Sequence, residues 1–104
     1  MQSIKGLWST TIERSSNMSR TDQTLLADGF DDAIIGLDTS GDVFRVIYDR
    51  NKMVDVLMER DEMSLEEAVE YLDYNVFSAY VGEGTPIYGY EGGKERVLEL
   101  MSQL

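Results

Sequence analysis

Ala33 begins the first regular run of apolar positions. Ala33, Ile35 and Leu37 alternate with Ile34 and Gly36, the period of two that a strand requires. DTSGD (38–42) supplies turn residues at hairpin length. VFRVIYD (43–49) follows, with Phe44, Val46 and Tyr48 on one face and Val43 and Ile47 on the other. Then the period lengthens. In DRNKMVDVLMERD, Val54, Leu57 and Met58 fall at helical spacing, predicting a helix capped by Asp49 or Asn51. Ser64-x-x-Glu67 reads as a capping box opening a second helix, with Leu65, Ala68, Val69, Leu72 and Val76 as its apolar stripe. Glu66 and Glu67 suit the positive end of that helix's dipole. A break at Asp61-Glu62 makes the pair an αα-hairpin.

Beyond it, Phe77–Val81 and Thr85–Tyr90 read as extended segments around Gly82-Glu83-Gly84, with Tyr80, Tyr88 and Tyr90 packing on the helices or continuing the sheet. GGKERVLELMSQL starts a helix after two glycines and sets Val97, Leu98, Met101 and Leu104 on one face. That helix either covers the sheet or forms a homodimer. Before residue 25 no period persists. Ile4, Leu7, Trp8 and Ile12 suit a short strand or a docked segment, and Glu13–Gln23 is expected to be mobile. The expected fold is therefore α+β: a short antiparallel β-sheet packed against an αα-hairpin, in the order ββααβ-α. The expected layout is a polar, flexible segment 1–24, a core domain 25–90 and a C-terminal amphipathic helix 91–104.

A chain of 104 residues has room for one modest core. No apolar run approaches the roughly 20 residues of a membrane span, and no signal-peptide layout begins the chain, so a soluble cytosolic protein is expected. There is no cysteine and no histidine. Disulfides, thiolate chemistry and the usual neutral-pH base are excluded, which argues against an enzyme. The formal charge of −11 is concentrated in residues 28–90, which hold fifteen acids and four bases. Repulsion disfavours direct nucleic-acid or anionic-membrane binding, and a protein partner with a basic surface is favoured.

Two motifs raise the question of chemistry. DGFDD offers Asp28, Asp31 and Asp32 as oxygen ligands, with Asp49 and Glu83 as further candidates, and the cation that suits such a set is Mg²⁺. Its spacing does not match a calcium loop, and a glycine turn that starts a strand explains it more simply. VGEGTP has a Gly-x-Gly that elsewhere admits phosphate. Here no lysine follows and Glu83 repels anions, so a turn between strands is expected. No cofactor is required by either reading. The candidate partner-binding set is instead Glu59, Asp61, Glu62, Glu66, Glu67, Glu70 and Asp73 for charge, with Tyr71 and Tyr74 for contact area.

The phrases LADGFDDAIIG, YDRNKMVDVLMERDEMSLEEAVEYLDYNV and AYVGEGTPIY occur together in residues 25–90. In this the chain resembles a family of small proteins encoded by tailed bacteriophages, cyanophages among them. The family's members share a DGF-acid-x-A-hydrophobic-G phrase, a YD-x-x-K phrase and a VGEGTP phrase. The resemblance carries no activity with it. It implies a phage protein at work in the cytoplasm of a bacterial host. The leading expectation is an accessory protein that binds and modulates a host nucleic-acid-binding or defence protein. The alternatives are a small-molecule or nucleotide binder, a carboxylate–metal enzyme, and a structural or virion-associated subunit.

Overall fold

The computed structural model describes residues 7–10 and 23–104. In chain order its elements are β1 (Trp8–Thr10), β2 (Leu25–Ala27), a 3₁₀ turn (Asp31–Ala33), β3 (Ile34–Asp38), β4 (Arg45–Asp49), α1 (Arg50–Arg60), α2 (Leu65–Leu72), a π-helical turn (Asp73–Phe77), β5 (Ile87–Gly89) and α3 (Lys94–Gln103). The architecture is α+β, as the periodicities predict. β1 and β2 form one antiparallel pair, and β3-β4-β5 form a second sheet with β4 in the middle. Ile4, Ile12 and most of the stretch expected to be mobile lie outside the described residues.

The β3–β4 hairpin is antiparallel, but β5 joins β4 in parallel, unlike the wholly antiparallel sheet expected. A parallel neighbour requires a crossover connection, and the αα-hairpin provides it. β3 carries a second departure. A bulge between Ile34 and Gly36 breaks the alternation, so Leu37 faces solvent rather than the core. The extended segment expected at Phe77–Val81 is also replaced. Val76 prolongs the buried Ala68–Leu72 row, and the chain stays helical through the π turn. Asn75 Nδ2 donates to the Tyr71 carbonyl (3.0 Å) and Ser78 Oγ to the Asp73 carbonyl (2.9 Å), partnering acceptors at the turn.

The core gathers Ala27, Phe30 and Ala33 with Val46 and Tyr48 of β4, Met53, Val54 and Leu57 of α1, and the α2 row. Trp8 of β1 and Leu7 just before it pack against this core. At its centre the buried Tyr48 hydroxyl accepts the Ala27 N–H at 2.8 Å, joining the two sheets. Asp49, also buried, caps α1 by accepting from Lys52 N (2.9 Å) and accepts from Glu91 N (2.8 Å) beyond β5. Of the two cap candidates, Asp49 takes the role. Met58 of the predicted α1 stripe is exposed instead, and Met53 is buried in its place.

VGEGTP closes the structure by a backbone crossing. The Leu25 N–H donates to the Gly84 carbonyl (3.2 Å), and a side chain on Gly84 would collide with the backbone of Gln23 and Thr24. Thr85 Oγ1 accepts from Val81 N (2.9 Å), and Arg45 Nε holds the Thr85 carbonyl (2.6 Å). Tyr80 stays exposed, whereas Tyr88 packs between Tyr48 and Phe77, with ring centroids 6.1 and 5.0 Å away. α3 follows Gly92 and Gly93, and none of its residues is buried, so it does not cover the sheet. Among the described residues no helix is long and apolar enough to cross a membrane.

Gly84→Ala should cost about 1–3 kcal/mol of stability in urea unfolding, the usual penalty for overpacking a filled site. A second prediction concerns Tyr88, whose buried hydroxyl has no hydrogen-bond partner among the described residues. Burial, and then the neighbouring Tyr48, push its pKa above the usual tyrosine range. A raised folded pKa gives stability that is complete below the unfolded value of about 10 and is lost as pH rises through it. Tyr88→Phe should leave stability at pH 7 unchanged or raise it by up to about 1 kcal/mol. It should also flatten the alkaline decline, as read by urea midpoints at neutral pH and above the tyrosine range.

Candidate functional site

The candidate face is built on α2, whose start is held by a complete capping box. Ser64 Oγ accepts from Glu67 N (3.1 Å) while Glu67 Oε1 accepts from Ser64 N (2.9 Å). Ala68, Leu72 and Val76, four residues apart, make the buried row. Leu65 and Val69 belong to the predicted stripe but flank that row, and they stay 58% and 39% exposed. The helix thus shows solvent an apolar margin beside its carboxylates.

Two grooves run along this outer surface. One, of about 580 Å³, is lined by Met63, Glu67, Glu70, Tyr71, Tyr74 and Asn75. The other, of about 430 Å³, is lined by Leu65, Glu66, Glu67, Val69 and Glu70. Glu67 and Glu70 belong to both, so an acidic ridge stands between two apolar troughs. Such a surface suits lysine and arginine side chains, whose stems pack on Met63, Tyr71 and Tyr74 while their charged ends reach the ridge. Tyr71 is half-buried and packs on the core, and Tyr74 is 87% exposed.

The remaining predicted residues divide. Asp61 closes α1 and pairs with Arg60 at 3.1 Å, and that hydrogen-bonded guanidinium holds its carboxyl below the usual carboxylate range. Asp73 faces Arg50 at 3.9 Å, and Arg50 lies over the Phe77 ring at 4.1 Å. Glu62 occupies the left-handed turn between the helices with φ 58°. The side chains of Glu59, Glu62, Glu66 and Glu70 make no hydrogen bond or ion pair among the described residues. α1 itself has three bases (Arg50, Lys52, Arg60) against two acids (Asp55, Glu59). The acidic surface therefore belongs to α2 and the turn before it, not to both helices equally. The sequence reading missed Met63, Leu65, Val69 and Asn75 as lining residues. For Leu65, Val69 and Asn75 the signal is angular, since each sits beside the Ala68–Leu72–Val76 row; Met63 precedes the Ser64 cap and has no such signal.

DGFDD proves to be a structural turn. Gly29 takes a left-handed φ of 89°, Phe30 is buried, and Asp28 Oδ1 accepts from Ser9 Oγ (2.6 Å). Arg60 Nη1 donates to the Gly29 carbonyl (3.1 Å), and its guanidinium lies 5.5 Å from the Phe30 ring centre. Asp31 and Asp32 line a cleft of about 510 Å³ with Glu59 and Arg60. Among the described residues no three carboxylates are placed to hold a metal, so Asp28, Asp31, Asp32 and Glu83 do not converge into the Mg²⁺ site considered above. The buried Phe30 anchors the turn in the core, and Glu83 rides on the exposed side of the VGEGTP crossing.

In comparisons with protein-family models, curated proteins and solved structures, nothing matches this chain.

The carboxylates of α2 should separate by role. Ser64→Ala should lower stability by about 1 kcal/mol through loss of the cap, while Glu66→Gln and Glu70→Gln stay within about 0.5 kcal/mol of wild type. Urea unfolding of the three variants side by side checks this.

Proposed function

We propose that this chain is a phage-encoded accessory protein that binds and modulates a basic host protein in the bacterial cytoplasm. The observation that carries the reading is the Glu67–Glu70 ridge between two uncovered apolar grooves. A binding face needs apolar area at its centre and complementary charge for steering, and this surface offers both. Tyr74 supplies a large, rigid contact group, and Glu59, Glu62, Glu66 and Glu70 supply carboxylates with no internal partner among the described residues. The charge of −11 favours fast association with a cationic surface. Host proteins that bind nucleic acid, defence nucleases included, present such surfaces. The resemblance of the DGFDDAIIG, YDRNK and VGEGTP phrases to those of tailed-phage proteins supports the viral setting.

The test is capture from bacterial lysate at low and high salt, then measurement of affinity for the purified target. Reversing Glu62, Glu66 and Glu70 together to lysine should weaken binding at least tenfold, about 1.4 kcal/mol, and reduce its salt dependence. Unchanged affinity and salt dependence would sink the reading.

A further inference from the structure

α3 is an amphipathic helix whose apolar side chains are left largely exposed. Val97, Leu98 and Met101 are 43%, 53% and 64% exposed, and no residue of the helix is buried. A ten-residue helix on its own is marginal in water, and this one has no side-chain N-cap. Its helical state is best explained by a surface that it packs against. Arg96 is paired with Glu99 at 3.4 Å, whereas the Lys94 side chain makes no hydrogen bond or ion pair among the described residues. Lys94 lies three, four and seven residues before Val97, Leu98 and Met101, on their face of the helix. α3 therefore presents apolar side chains in line with one free cation.

α2 presents the complement. Its exposed Leu65 and Val69 flank Glu70, which has no partner among the described residues. We infer that the occupant of this face is the α3 helix of a second copy, with Lys94 set against Glu70 and Val97, Leu98 and Met101 seated in the apolar grooves. Area favours a reciprocal arrangement. One helix of about 15 Å falls short of the roughly 800 Å² per partner of a standard interface. A two-fold pair makes the α3–α2 contact twice and closes on itself. Charge favours it too: residues 94–104 hold two bases and two acids, so α3 reaches the acidic ridge without net repulsion. The inference rests on the α2 face used in the proposed function and gives that face a regulation. The dimer covers it, and a basic partner competes with α3.

Sedimentation equilibrium on the full chain alone, with no partner present, tests this separately from host binding. The expected mass at high micromolar concentration is twice 11.8 kDa. Met101→Asp should give a monomer whose core keeps its urea midpoint, because α3 contributes nothing buried, while the helical circular dichroism signal falls as α3 loses its packing surface. Glu70→Lys and Lys94→Glu should each weaken the dimer at least tenfold, and the double variant should restore it to near wild type. A wild-type monomer, a dimer indifferent to Met101→Asp, or charge variants whose effects merely add would each overturn the assignment.

Discussion

Two adjacent side chains at the end of β4 tie together the small N-terminal sheet, the start of α1 and the segment that follows β5. The Tyr48 hydroxyl takes the Ala27 N–H from the small N-terminal sheet, and the Asp49 carboxylate takes one N–H from the start of α1 and another from Glu91 after β5. Both residues are buried. A buried carboxylate is tolerated only when its oxygens are satisfied, and charge-assisted bonds to backbone N–H groups are about twice as strong as neutral ones. Losing either partner would strand a polar group inside the core. The exposed Lys52–Glu91 pair at 2.8 Å reinforces the same junction but contributes much less in solvent.

Around that junction the chain solves a topological problem. Placing β5 parallel to β4 requires a return path, and the two helices, the π turn and the VGEGTP loop together form it. The return succeeds only because Gly84 lets the loop cross the Gln23–Thr24 backbone at close range. The two motifs that raised the question of chemistry, DGFDD and VGEGTP, are therefore mainly devices of folding, as is the YDRNK phrase at the start of α1. Each is a turn, a cap or a crossing.

Function is left to the surface that the folding motifs do not consume. α2 buries one narrow row and shows solvent a mixture of carboxylates and apolar groups. α3 buries nothing. Apolar side chains kept on a small acidic protein are costly to solubility unless something covers them. The two uncovered faces are opposite in character, since α2 is acidic and α3 carries a free lysine. That opposition makes the proposed host binding and the inferred self-association competing uses of one groove system.

Local chemistry is what the sequence by itself determined. The Asp49 cap, the Ser64–Glu67 box, the β3–β4 hairpin and the amphipathic character of α3 all depend on interactions within a few residues, and each was legible. What only the tertiary structure decided depends on distant neighbours. The bulge that turns Leu37 outward is set by pairing with β4, and the parallel place of β5 by the crossover. The exposure of Leu65 and Val69 is set by the narrow contact between α2 and the core. The candidate site was half legible for the same reason. Counting charges found the carboxylates of α2, but the grooves on either side of Glu67 and Glu70 exist only because packing chose one row of the helix and left the next one in water.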